Sequence, residues 1–489
     1  MLTRFKSLCL IASVVGLLGT QSDAVFASAK SNTSSTALST STTANAAASN
    51  KKISQFATEE TQYLPFDMDV PGQAFVSTGP YIGVPLQFSG SNLIINSPSV
   101  NLDTQLLGIR KSIHQQLVAM GGEIFKEPYH SHLLLSGVAE GEANYINNGG
   151  SPSTTNIDVT NLSLDGFFIG PSDWTMGFFE LSYNNQSPIN NGVYAATSNY
   201  TDSNSNVFIN KVFVTVGNFA QSPYYGSIGQ FYVPFGQYSS IMTSTPFTTV
   251  LTRTKARALL LGWKQQQDNA FYGSLYTFSG DAHVASVSKI NNGGFNAGYQ
   301  YRYGVVNGNL GGGMIGNIAD SGGMQLNTGF NAFEQISHNV PGYNVRGVFT
   351  LLDHVSLVGE FVGAATAFNV NDMSFNGHGA KPWALDAEAA YTFTIFDNKP
   401  STFAVGYQKT TEALAVGLPM NRISLVMQTS LLRNTLQGIE FRHDQTYAAS
   451  SSANGPTGAA STPGSCTAAT CTATGKGNNA VTASFDYYF

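Results

Sequence analysis

Charged side chains fall at every second position of short apolar segments in this chain, and that spacing defines the chemistry open to them. Glu140 and Glu142 alternate with Gly137, Ala139, Gly141 and Ala143, and Glu180 alternates with Gly177, Phe179, Leu181 and Tyr183. Asp386 and Glu388 alternate with Ala387, Ala389 and Tyr391; Glu440, Arg442 and Asp444 alternate with Ile439 and Phe441. A period of two belongs to a strand, so each segment carries one apolar face and one charged face. Where the apolar faces meet lipid the charges must turn inward, because a charge on a lipid face costs about 2–4 kcal/mol near the bilayer midplane. The same parity makes Lys211, Lys264, Arg302, Arg346, Arg422 and Arg442 the candidate inward cations. Glu140, Glu142, Asp165, Glu180, Glu360, Asp386, Glu388, Glu440 and Asp444 are the candidate inward anions. Opposed ladders of this kind set a transverse field across a lumen and sort solutes by charge. Alternatively they pair across neighbouring strands, as Glu440 and Arg442 can with Arg422.

Other chemistries find little support. The eight histidines have no metal-ligand spacing apart from His130 and His132, which flank the start of a strand, so no metal site is expected. Neither a Gly-x-Ser-x-Gly elbow nor a His-Glu-x-x-His motif is present, and neither an enzyme nor a cofactor is expected. The net charge of −6 leaves no basic footprint for nucleic acid. Cys466 and Cys471 lie five residues apart in a Gly/Ser/Thr/Ala-rich loop, and in an exported protein they are candidates for a small loop-tying disulfide.

The elements that must position the charges follow from composition. Charged residues make up 11% of the chain, against about 25% in ordinary globular proteins. Low charge without long apolar runs suits a barrel, whose apolar residues are spread at every second position. The one continuous apolar stretch, Leu8 to Gly19, follows Arg4 and Lys6 and precedes small residues at Ala27 and Ala29. Residues 1–29 therefore read as a signal peptide, too short to span a membrane as a helix. Residues 30–98 read as a low-complexity linker and extended periplasmic chain. Over 99–122, Leu102, Leu106, Ile109, Ile113, Leu117 and Met120 recur at helical spacing, and Gly121-Gly122 ends the run. That helix is expected to lie on a partner surface, as a short periplasmic helix or within the lumen, or to pair with another copy in a short coiled coil.

Residues 129–489 read as about sixteen antiparallel strands of an all-β outer-membrane barrel. Short links such as Gly170-Pro171-Ser172, Gln265-Gln266-Gln267 and Leu352-Asp353-His354 alternate with long ones near 185–204, 237–252, 320–340, 368–381 and 447–477. A barrel with turns on one side and loops on the other sorts its connections in this way, and a soluble sandwich has no reason to. The last strand alternates Val481, Ala483, Phe485, Tyr487 and Phe489 with Thr482, Ser484, Asp486 and Tyr488, closing on an aromatic residue. No edge can be left in lipid, where water cannot satisfy the backbone. Outer-membrane lipid, the barrel assembly machinery and a small solute are the expected partners, with a homo-oligomer left open. A surface adhesin or structural barrel is the competing reading.

Several segments resemble the siderophore porins related to the legiobactin receptor. They are Thr78-Gly79-Pro80-Tyr81-Ile82-Gly83-Val84-Pro85, the run Leu93 to Asn101, Gly229-Gln230-Phe231-Tyr232-Val233-Pro234-Phe235-Gly236, and Pro246-Phe247-Thr248 with Thr252-Arg253-Thr254. The resemblance implies an outer-membrane barrel without a plug domain and, in some members, uptake of a ferric siderophore. General or anion-selective passage is the alternative.

Overall fold

The computed structural model describes residues 102–119, 132–184 apart from 150–152, 171 and 173, 206–455 apart from 268, 286–288, 326–329, 331–333, 353, 396–398 and 433–434, and 471–488. The expected signal peptide, the linker, Cys466 and the terminal Phe489 lie outside them.

Among the described residues one helix, α1 (Leu102–Ala119), precedes a closed barrel of sixteen strands. The strands are β1 (His132–Asn148), β2 (Thr154–Ile169), β3 (Thr175–Asn184), β4 (Asn206–Gly217), β5 (Tyr224–Tyr232), β6 (Lys255–Lys264), β7 (Ala270–Phe278) and β8 (Asn292–Tyr303). They continue as β9 (Val306–Ile315), β10 (Gly342–Leu351), β11 (Val355–Ala364), β12 (Trp383–Ile395), β13 (Lys399–Thr411), β14 (Asn421–Thr429), β15 (Thr435–Gln445) and β16 (Gly477–Tyr488). Every neighbour is antiparallel and sequential, and β16 closes on β1 with Val138 opposite Tyr488 and Asn148 opposite Asn478. Closure satisfies the backbone that an edge would leave bare in lipid.

Connections sort by end, as expected. One end carries 170–174, 218–223, 265–269, 304–305, 352–354, 396–398 and 430–434; the other carries 149–153, 185–205, 233–254, 279–291, 316–341, 365–382, 412–420 and 446–476. Two bulges shift the side-chain phase. Glu140 faces Asn161 while Gly141 faces Val159, leaving Thr160 extra in β2; Glu180 faces Lys211 while Leu181 faces Ile209, leaving Asn210 extra in β4. Ile157 and Val159 are exposed before the first bulge and Leu162 and Leu164 after it, so the bulge keeps apolar residues outside while the sequence changes parity.

The outer face is an apolar belt, with Ile157 76% and Ile228 63% exposed. Stacked rows Tyr299-Tyr301-Tyr303 and Tyr391-Phe393 lie towards the short-turn end, as aromatic girdles do where hydrocarbon gives way to headgroups. At the long-loop end, four short strands (374–375, 378–379, 452–454 and 471–472) make a small separate sheet. Cys471 pairs there with Ala453.

α1 does not stand apart from the barrel. Leu102, Leu106, Leu107 and Ile109 share one buried cluster with Phe167, Met176, Phe178, Phe213 and Tyr225 from the inner wall of β2–β5. That wall would otherwise present aromatic rings to water, and the helix removes them from it. Polar ties fix the pose. Asp103 Oδ2 accepts from Ser227 Oγ of β5 at 2.9 Å, and Arg110 donates to the carbonyls of Gly217 (3.3 Å) and Ser172 (3.1 Å) at the short-turn rim. Of the placements left open by its sequence, the helix takes the lumen rather than the periplasm at its start, and the partner surface of its stripe is the barrel's own wall.

Candidate functional site

The connection from β5 to β6, residues 233–254, turns inward and docks on the opposite wall. Its departure is local chemistry. Pro234 has no N–H to give the ladder. Gly236 permits a close approach, because a Cβ there would meet the Tyr238 ring at 2.4 Å and Glu360 Oε1 at 2.7 Å. Tyr238 takes a left-handed backbone, φ 56°, which redirects the chain across the lumen.

Three carboxylates from the far wall then fasten the loop in sequence. Glu360 of β11 accepts the backbone N–H groups of Gln237 (2.9 Å) and Tyr238 (2.8 Å). Glu388 of β12 accepts Ser240 Oγ and Ile241 N–H, both at 2.6 Å. Glu440 of β15 accepts Ser244 N–H at 2.8 Å and Ser244 Oγ at 2.6 Å. Amides fill the gaps: Gln408 Oε1 accepts Phe247 N–H at 3.1 Å, and Gln428 Nε2 donates to the Ile241 carbonyl at 3.0 Å. Arg422 of β14 donates to the Thr245 carbonyl at 3.2 Å and lies over the Phe247 ring at 4.4 Å. The segment ends in a one-and-a-half-turn helix, α2 (Phe247–Thr252), all six residues of which are buried. Tyr238 Oη and Thr252 Oγ1, 3.1 Å apart, tie the loop to itself.

Each hydrogen bond to a charged partner contributes about 1.5–3 kcal/mol. Three bidentate fasteners therefore make the loop a fixed part of the barrel interior rather than a swinging lid. The backbone donors also supply the polarity that a buried carboxylate needs.

The remaining inward residues sort into pairs and a patch. Glu180 and Lys211 form a buried ion pair at 2.6 Å. Asp444 bridges Arg422 Nε at 2.6 Å and Arg442 Nε at 3.3 Å. Arg346 donates to Asn344 (3.1 Å), Tyr272 Oη (3.1 Å) and Asn296 (2.6 Å). Lys264 is buried at the short-turn end of β6, and Arg302 is half-buried at the corresponding end of β8. Glu140 stands opposite Asp486, Glu142 opposite Asp158, and Asp165 opposite Glu180. Like charges facing one another across strands are destabilising, so β16, β1, β2 and β3 carry an acidic inner patch. Asp386 is fully buried two residues from Glu388.

The parity of the charged residues leads to this interior, but not to what the charges do there. Glu360, Glu388 and Glu440 hold a loop, which alternation cannot show, since a strand's period says which face a side chain takes and nothing about what meets it. Alternation also turns Gln408 and Gln428 inward, but without a charge nothing in their spacing distinguishes them. Arg253 and Lys255, at the loop's root, lie where the strand pattern breaks.

A closed apolar-belted cylinder with a polar interior and a loop fixed across it defines a membrane β-barrel of porin-like architecture. The chain belongs to the UPF0422 family. It is 35% identical over 416 residues to the UPF0422 protein of Coxiella burnetii, covering 85% of this chain and 84% of that one. It is likewise 35% identical over 434 residues to UPF0422 protein lpg2959 of Legionella pneumophila, covering 85% and 76%. No family model matches. Among solved structures, the anion-selective porin of Comamonas acidovorans is similar at 12% identity and TM-score 0.48, over 74% of this chain and all of that one. The outer membrane channel DcaP of Acinetobacter baumannii is similar at 14% identity and TM-score 0.47, over 74% and 98%.

Proposed function

We propose that the chain is a passive channel in the outer membrane of a Gram-negative bacterium, and that loop 233–254 sets its narrowest passage for a small charged solute. The observation that carries this reading is the loop itself, fastened across the interior by Glu360, Glu388 and Glu440. A barrel serving only as a scaffold for adhesive loops has no use for a constriction built at this cost in buried charge. With an even strand number, both ends of the barrel sequence fall on the short-turn side, which supports a periplasmic N-terminus and outward long loops. Insertion by the barrel assembly machinery belongs to the same proposal.

The inward ladder Lys211, Lys264, Arg302, Arg346, Arg422, Arg442, Glu140, Glu142 and Glu180 would line that passage. The resemblance to siderophore porins adds a ferric siderophore as the finer candidate solute. Two of the resembling segments, Gly229 to Gly236 and Pro246 to Thr254, begin and end the constricting loop, which favours retaining that candidate. Proteoliposome swelling tests the channel: the full chain should admit small sugars at rates that fall steeply with size. Labelled ferric siderophore retained outside such vesicles would remove the finer reading, and no swelling with any solute would remove the channel.

A further inference from the structure

Three cations gather at the root of the loop, where neither the fasteners nor the ion pairs account for all of them. The Tyr232 ring receives Arg253 at 4.5 Å and Lys211 at 5.7 Å. Lys255 stands directly opposite Tyr232 in the β5–β6 ladder; its Nζ donates to Asn210 Oδ1 at 3.1 Å and lies over Phe208 at 5.6 Å. Glu180, with Asp165 opposite it, supplies the negative charge at this place, and Glu180 is taken up by Lys211 and by Asn210. Among the described residues, the Arg253 guanidinium has the Tyr232 ring but no hydrogen-bond acceptor, and the Tyr232 hydroxyl has no hydrogen-bond partner.

The cluster is held rigidly. Arg253 N–H donates to the Thr249 carbonyl at 3.0 Å, and its own carbonyl accepts from Gly322 N–H at 2.9 Å, so its backbone is pinned between two loops. Both Arg253 and Lys255 remain half-exposed. Glu180 answers Lys211, and Arg253 and Lys255, held beside the same ring and ladder position, still repel one another, so an incoming anion relieves that repulsion. A guanidinium with free N–H groups offers two parallel donors to an oxyanion, and an ammonium beside it adds a point charge.

We infer that Arg253, Lys255 and the Tyr232 hydroxyl form a binding site for a carboxylate or phosphate group carried by the solute. Its role in selecting solute rests on the channel reading above; its existence as a site does not. Isothermal titration of inorganic phosphate and of succinate into the full-length protein in detergent tests it. Saturable binding of at least one is expected, and which one binds tells phosphate from carboxylate. Arg253→Gln and Lys255→Gln should each weaken it by at least about tenfold, with Arg253→Lys falling between. Arg257→Gln, two residues further along the same strand and exposed, should leave it unchanged. Absence of saturable binding in the unaltered protein, or equal binding in both Gln variants, overturns the site. In planar bilayers the bound anion should reduce potassium chloride current. A conducting protein that binds neither anion loses the site alone, and a binding protein that never conducts loses the channel alone.

Discussion

Replacing Glu388 with alanine should loosen the constriction without unfolding the barrel. Glu388 is buried and accepts two short hydrogen bonds, from Ser240 Oγ and Ile241 N–H. Each is charge-assisted and contributes about 1.5–3 kcal/mol, and truncation also leaves the Ile241 N–H without its acceptor. Removing a carboxylate two residues from Asp386 relieves some repulsion, so the net cost to loop docking is about 3 kcal/mol. At about 1.4 kcal/mol per factor of ten, local release of residues 240–241 becomes roughly a hundred times more frequent. Glu360 and Glu440 still hold both sides, so release stays local. Single-channel recording should show a larger mean conductance and added open-state noise in Glu388→Ala, with a smaller effect in Glu388→Gln, which keeps one acceptor. Heat-modifiable migration on gels should be unchanged. Conductance and noise equal to those of the unaltered protein in Glu388→Ala would refute the idea that this carboxylate holds the passage.

Three further outcomes follow from other parts of the molecule. Ile228→Arg places a charge on the lipid face at mid-strand, where the side chain is 63% exposed; it should cost about 2–4 kcal/mol in urea unfolding from vesicles, and a cost near zero would contradict the outward assignment. Arg110→Ala removes the ties of α1 to Gly217 and Ser172, so protease should cut α1 sooner and conductance should rise; protection equal to that of the unaltered chain would count against a docked helix. Burial pushes the Asp320 carboxyl, which accepts from Ala282 N–H and Asn292 Nδ2, up to about 6. Its folded value lies above its unfolded one, so its contribution to stability is full below about pH 4 and is lost as pH rises through about 6. Trypsin should therefore nick Lys289 more readily at pH 7.5 than at pH 5, relative to an unstructured peptide, and Asp320→Asn should abolish that difference.

The fold was legible because a barrel repeats one simple rule. Alternation at Thr175 to Tyr183, Ala384 to Tyr391 and Val481 to Tyr487 identifies strands wherever one face meets lipid, and the sorting of connections by length supplies the topology. The strand ends at Tyr232 and Ile315 are less legible, because apolar residues such as Val233, Phe235, Ile318 and Ala319 continue into loops with their own buried core. The bulges at Thr160 and Asn210 were invisible, since one extra residue changes phase without leaving a mark in composition. The docking of α1 was hidden for a different reason. Its stripe predicts an apolar partner, and nothing in a sequence reveals that inward Phe167, Phe178 and Phe213 provide it. The constriction depended on the same kind of long-range meeting: Glu388 and Ile241 lie 147 residues apart in sequence.

Ionic current through the full-length protein in a planar lipid bilayer bears most directly on the central claim, a closed cylinder with a wet, loop-narrowed interior. The predicted result is a series of uniform, ohmic current steps that become larger when Glu360, Glu388 and Glu440 are replaced together by alanine. Correctly folded, heat-modifiable barrels that insert and yet pass no current, before or after that replacement, would contradict it.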